Sequence, residues 1–162
     1  MAKLSRGGAV IAFIEEYCLA PEGAHVGKPI KLMPFQKQFI RAIYDNPKST
    51  RRAYLSIARK NGKTALIAGI MLAHLVGPES KQNSQIISGA RSRDQAAQVF
   101  NYASKMVQLS MDLSSVVRIT PSTKTLVGLP LNVEYKALSA EGKTAHGRSP
   151  ILAILDEVGQ VK

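Results

Sequence analysis

The sequence predicts an α/β domain built on a mainly parallel sheet flanked by helices. Strand-like and helix-like segments alternate along the chain, and a basic, glycine-containing turn links one such strand to an apolar helix near residue 60. Residues 151–155 are five consecutive apolar residues, the pattern of a strand buried on both faces. A length of 162 residues with 45% apolar content suits one domain of ordinary size with a real core.

Each element has its own signal. Residues 9–19 place small, apolar and acidic side chains at helical spacing and stop before Pro21. A loop with two prolines and two glycines follows over 20–33. Pro34 suits the first turn of a helix in which Phe35, Phe39, Ile40 and Ile43 share one side, and Asp45-Asn46-Pro47 ends it. Residues 52–58 read as a short strand, 64–76 as an apolar helix stopped by Gly77-Pro78, and 85–90 as the next strand. Residues 94–109 form a helix with Ala97, Phe100, Ala103 or Ser104, and Val107 inward. A β pair, 116–119 and 125–129, turns at Pro121-Ser122, and 132–138 alternates as a strand.

Charge and composition narrow the function. Twenty-two Lys and Arg against 11 Asp and Glu give +11 at pH 7, which points towards a polyanionic partner such as nucleic acid. The single cysteine, Cys18, cannot close an intrachain disulfide, so a disulfide-stapled scaffold is excluded and a reducing compartment is the default. Cys18 itself is expected in the core. Glu15 and Glu16 interrupt the apolar stretch after Lys3 and Arg6, which argues against a signal peptide. The longest apolar segment, 66–76, is well short of the roughly 20 residues of a membrane span. The expectation is a soluble intracellular protein. His25, His74 and His146 lack metal-ligand spacing. Arg51, Arg52, Arg91 and Arg93 either track DNA phosphates or are solvated.

Three motifs carry chemistry. Ala58-Arg59-Lys60-Asn61-Gly62-Lys63-Thr64 lies between a strand and a helix. A helix N-terminus offers N–H donors and a favourable dipole to a phosphate. There Gly62 permits close backbone approach, Lys63 can reach the β- and γ-phosphates, and the Thr64 hydroxyl can ligate Mg²⁺. The strict G-x-x-x-x-G-K-[ST] pattern fails at its first glycine, which is Ile57. Gly142-Lys143-Thr144 is an internal control: no helix follows it, so it reads as a loop. The second motif is Asp156-Glu157 at the end of the most apolar strand. Adjacent carboxylates leaving a buried strand need a compensating cation. Mg²⁺ with a nucleotide supplies one, with Asp156 at the metal and Glu157 as the base for an attacking water. The third is Pro34-Phe35-Gln36, whose Gln amide can pair with adenine N6 and N7.

Taken in order, Met33-Pro34-Phe35-Gln36, then residues 58–64, then Ile154-Leu155-Asp156-Glu157 resemble the ATPase portion of bacteriophage terminase large subunits, from about residue 8 onward. Arg59 matches that family's deviant phosphate loop, and Lys136-Ala137-Leu138-Ser139-Ala140 with the glycine-containing loop after it also looks like the family. The resemblance implies a RecA-like P-loop NTPase fold that uses ATP and Mg²⁺ to drive double-stranded DNA into a capsid. It implies Gln36 at adenine, the loop residues Arg59, Lys60, Asn61, Gly62, Lys63 and Thr64 at the phosphates, with Arg59 sensing the γ-phosphate. Thr64 and Asp156 would hold Mg²⁺, Glu157 would be the catalytic carboxylate, and Arg148 a candidate for completing a neighbour's site in a ring. The partners implied are the small terminase subunit and a portal protein, and the location is the cytoplasm of an infected bacterium.

On this reading residues 1–33 are an N-terminal helix and loop, and 34–162 a partial P-loop ATPase domain that stops after the Walker B strand. A later strand should lie between the phosphate-loop strand and the acidic strand, and the nuclease domain of the family is absent. Two other readings are a superfamily-2 helicase or translocase fragment and a non-hydrolysing nucleotide- or DNA-binding module. The first usually keeps a glycine-rich loop and an Asp-Glu-Ala-type box, where this chain has Asp156-Glu157-Val158-Gly159.

Overall fold

A computed structural model of the chain describes residues 3–57, 62–139 and 150–155. The chain opens with α1 (Arg6–Tyr17), α2 (Pro34–Tyr44) and α3 (Lys63–Leu75). Then come β1 (Gln85–Ala90), α4 (Arg93–Leu109), the short α5 (Met111–Ser114), β2 (Val117–Thr120), β3 (Thr125–Gly128), β4 (Val133–Ser139) and β5 (Leu152–Leu155).

The five strands make one sheet in the order β2-β3-β4-β1-β5. β1 pairs in parallel with both β4 and β5, while β2–β3 and β3–β4 are antiparallel. The sheet is therefore evenly mixed rather than mainly parallel. The hairpin at Pro121–Thr123 reverses the chain, and Lys124 (φ 53°) takes the left-handed conformation that ends its single 3₁₀ turn.

Register divides the sheet into two unlike faces. Ile86, Leu126 and Tyr135 lie side by side and are fully buried. Ser88, on the same face, shares a 2.6 Å hydroxyl–hydroxyl hydrogen bond with Tyr135. Both helices that press on the sheet, α3 and α4, lie here. A Cβ on Gly128 would fall 2.3 Å from the Leu75 carbonyl oxygen, so only glycine lets the end of α3 come this close to β3. On the opposite face Ala153 is exposed and Leu155 is 67% exposed.

Three sequence expectations are corrected here. Residues 52–57 form no strand, because no ladder partner stands beside them among the described residues. β5 is not buried on both faces: it is an edge strand whose residues alternate between half-buried and exposed, and Ile151 lies outside it. Phe35 is not part of the inward side of α2, where Gln36, Ile40 and Tyr44 are buried instead. The stripe is one residue out of phase with an apolar count because Gln36 occupies a core-facing place.

α1 completes the core by packing on both α2 and α3. Ile14 fits against Gly69, where a Cβ would stand 3.2 Å from its side chain. The Asp45 carboxylate, just past α2, accepts from the Gly7 N–H at 2.8 Å and the Ser5 hydroxyl at 3.0 Å, fixing the start of α1. Cys18 is fully buried, as its place on an inward helix face predicts, and burial pushes its thiol up to about 12. No described helix is long and apolar enough to cross a membrane.

The buried end of this packing carries a pH dependence that sequence alone did not signal. Tyr44 Oη and His74 Nε2 form a 2.7 Å hydrogen bond between α2 and α3, and His74 Nδ1 has no partner among the described residues. Burial holds the imidazole down to about 4, against Glu79, which favours the charged form, and with Arg6 and Lys81, which oppose it. His74 is thus neutral when folded, while the unfolded chain protonates it near the ordinary value of 6.5. Its contribution is complete above pH 6.5 and is lost as pH falls towards 4, on the order of 3 kcal/mol. Urea melts at pH 7 and pH 4.5 are expected to show that loss, and His74→Gln should flatten it.

Candidate functional site

α3 is the element around which the site is built. Its interior is apolar and almost entirely enclosed, with Leu66 and every residue from Ala68 to Leu75 buried. Core packing therefore fixes the direction in which its N-terminus points. Gly62, at the cap, has φ +76° and ψ 19°, a left-handed conformation that glycine adopts without Cβ strain. Its carbonyl accepts the first helical bond, from the Leu66 N–H at 3.0 Å.

Gly62 has no side chain to cap α3, and no side-chain cap occurs there among the described residues. Ser5, Ser92 and Ser110 each accept a backbone N–H at the start of α1, α4 and α5, whereas α2, like α3, has no such bond from its N-cap side chain. The start of α3 carries the positive end of the helix dipole, which favours an anion there. Lys63 and Thr64, both half-buried, occupy the first turn, so an ammonium and a hydroxyl stand at that same end.

Gln36 meets this terminus from another element. It is 5% exposed, and its Oε1 accepts the Met33 N–H at 2.9 Å, which turns the amide nitrogen outward. A Cβ on Gly62 would lie 3.2 Å from Gln36 Nε2. The amide of a residue 26 positions away in sequence thus stands beside the start of α3, and a larger residue at 62 would push it aside.

The support for Gln36 is a feature that pattern reading missed. Glu15 accepts the Leu32 N–H at 3.1 Å and stands 3.9 Å from Lys37 Nζ, pinning the chain as it enters α2. An acid on an amphipathic helix reads as a solvated face, so nothing in the sequence marked Glu15 for this task. At the opposite end, Arg6 pairs with the mostly buried Glu79 and lies over the Tyr44 ring at 5.7 Å. Glu79 raises the Arg6 pKa, mainly through that hydrogen bond.

The structure thus brings together Gln36, Gly62, Lys63 and Thr64. Arg59, Lys60, Asn61, Arg148, Asp156 and Glu157 lie outside the described residues, as does the Gly142-Lys143-Thr144 tripeptide. β5 ends at Leu155, the residue before the Asp156-Glu157 pair, and runs parallel to β1. Arg91 and Arg93 are exposed where β1 ends and α4 begins. No group of three or more potential metal ligands occurs among the described residues.

An α/β fold with a glycine-led helix start and a buried glutamine amide beside it is an arrangement that can receive an anion. The model of the terminase large subunit ATPase domain matches residues 34–162, so the chain belongs to that family. It is 69% identical over 159 residues to the terminase large subunit of Enterobacteria phage HK97, covering 98% of this chain and 32% of that protein. The crystal structure of the HK97 bacteriophage large terminase superposes with a TM-score of 0.91 at 67% identity, again over 98% of this chain and 32% of that one. The chain spans about a third of the length of the relatives it matches.

Proposed function

We propose that this chain is the ATP-binding and hydrolysing part of a phage terminase large subunit, a P-loop NTPase whose turnover drives DNA translocation into a capsid. The observation that carries the reading is the contact of the buried Gln36 amide with Gly62 at the uncapped start of α3. One helix terminus then receives phosphates while a fixed amide faces the base of the same nucleotide. The membership of residues 34–162 in the ATPase family supports it and favours it over a superfamily-2 helicase.

In this reading Gln36 contacts adenine, and residues 59–64 with the α3 dipole hold the phosphates. The Lys63 ammonium reaches the β- and γ-phosphates, and Arg59 senses the γ-phosphate. Thr64 and Asp156 would hold Mg²⁺, and the donor set fits: a hydroxyl at the helix start and a carboxylate after β5. Mg²⁺ when bound neutralises phosphate charge and orients the transferred group. Glu157 takes a proton from the attacking water, and Arg148 reaches a neighbouring subunit's site in a homo-oligomeric ring. Double-stranded DNA, the small terminase subunit and a portal protein are the partners, in the cytoplasm of the infected host. Residues 1–33 form a helix-and-loop lead-in to an ATPase domain over 34–162.

The adenine contact is tested by competing ATP and GTP for a fluorescent nucleotide. Gln36→Ala should weaken ATP roughly 10-fold and leave GTP within about twofold, as expected for one bidentate base contact. Equal loss for both nucleotides would mean that Gln36 only supports the loop.

A further inference from the structure

We infer that an apolar groove at the far end of α3 is a docking surface for a cationic amphipathic helix of a partner protein. The groove, about 460 Å³, lies between α1, the α3–β1 turn and α5, and does not depend on the nucleotide reading. Ala12, Phe13, Val76, Leu113 and Val116 line it. Its form is set by the turn at Gly77, where a Cβ would lie 2.8 Å from the Ala73 carbonyl oxygen and 3.0 Å from the Phe13 ring. Phe13 and Tyr17 pack ring against ring along one wall, 5.5 Å between centroids and tilted by 43°. Leu4, at its rim, is 61% exposed, and Met111, the first residue of α5, is 89% exposed.

Charge identifies the occupant. The chain carries +11, yet among the described residues the only charged ones lining this groove are Glu16 and Asp112. Neither carboxylate has a side-chain partner among the described residues, whereas Glu15, Glu22, Asp45 and Glu79 all do. Two unpaired carboxylates beside an apolar floor repel phosphates and attract Lys or Arg flanking an apolar stripe. An amphipathic helix supplies that combination, with anchors at i, i+3 or i+4 and i+7. A second copy of this chain is the poorer occupant, because α1 to α4 turn most of their apolar residues into the core. The 13-residue α3 separates groove and site by roughly 20 Å at 1.5 Å per residue, so both can be filled together.

The probe is a synthetic helix of about five turns with leucines at those anchor positions and lysines elsewhere, compared with the same peptide carrying glutamates. In NMR titrations of the chain, the lysine peptide should shift amides in residues 9–17, 76–78 and 111–116. Ala12→Arg should weaken it about 10-fold or more, and the shape-preserving pair Glu16→Gln and Asp112→Asn several-fold, with loss of salt dependence. Circular dichroism and melting establish that Ala12→Arg folds, and the Gln/Asn pair decides the matter if it does not. Equal binding of the glutamate peptide, shifts outside these segments, or indifference to the Gln/Asn pair would overturn the proposal. So would self-association of the chain by sedimentation that Ala12→Arg abolishes, since a second copy would then own the groove.

Discussion

Lys63→Ala is expected to remove measurable ATP binding by the chain, a loss of 100-fold or more, whereas Lys143→Ala should leave affinity within about twofold. Both lysines sit in the same Gly-Lys-Thr tripeptide, so composition cannot separate them. Context does. Lys63 opens a 13-residue helix whose N-terminus has no side-chain cap and whose apolar body is locked in the core. An ammonium at that end adds its charge to donors already oriented at the anion, with little reorganisation on binding. The tripeptide of Lys143 follows Ser139-Ala140-Glu141 and precedes Gly147 and Pro150, residue types that read as a loop in the sequence. Nucleotide titration of the two variants reads this directly. Equal loss in both would withdraw the phosphate assignment, and preserved binding in both would place the nucleotide elsewhere.

The helices were legible because their signals are local. Pro34 at the start of α2, Gly77-Pro78 after α3, and the sustained apolar spacing of α4 each act within a turn or two. The β2–β3 hairpin was legible for the same reason. What failed depends on neighbours. Residues 52–57 have strand-like composition, yet a strand exists only where another offers its ladder, and none does so among the described residues. Residues 151–155 read as doubly buried because apolar composition is the same whether a sheet face is covered or bare. The antiparallel half of the sheet was likewise invisible as a proportion, since pairing partners are not written in the strands themselves.

The site was half legible. Gly62, Lys63 and Thr64 follow from a contiguous motif, but burial of Gln36 does not, since a glutamine on a helix is more often solvated. Its weight in the sequence came only from its order relative to the other motifs. The structure replaces order with contact, through Met33 on one side and Gly62 on the other. Glu15 is the least legible of all. Its partner is a backbone N–H 17 residues away, and no spacing rule joins them.

Hydrolysis is expected to separate from binding: the 162-residue chain should bind ATP yet turn it over at least 100-fold more slowly than a protein of its relatives' length. The cause lies in the sheet. The acidic pair follows β5, which is held by a single ladder to β1 and has its other edge unpaired among the described residues. The segment 52–57, which leads to the proposed phosphate loop, also has no ladder partner among the described residues. On the proposed reading the nucleotide phosphates and the base that activates water are therefore referenced to two pieces of chain that no shared strand among the described residues holds in register. On the proposed reading binding rests on residues 59–64, the α3 terminus and Gln36, but proton abstraction needs a carboxylate within hydrogen-bond reach of a particular water. A displacement of about 1 Å is enough to cost 100-fold. A strand seated between β5 and 52–57 would remove that freedom and also protect an edge that exposes Leu155. Single-turnover measurements on both lengths distinguish slow chemistry from slow release. In the longer protein Glu157→Gln should keep nucleotide affinity and stop turnover, which separates loss of the base from loss of its placement. Robust turnover by the isolated chain would show that the loop and the acidic pair hold their geometry without a further strand.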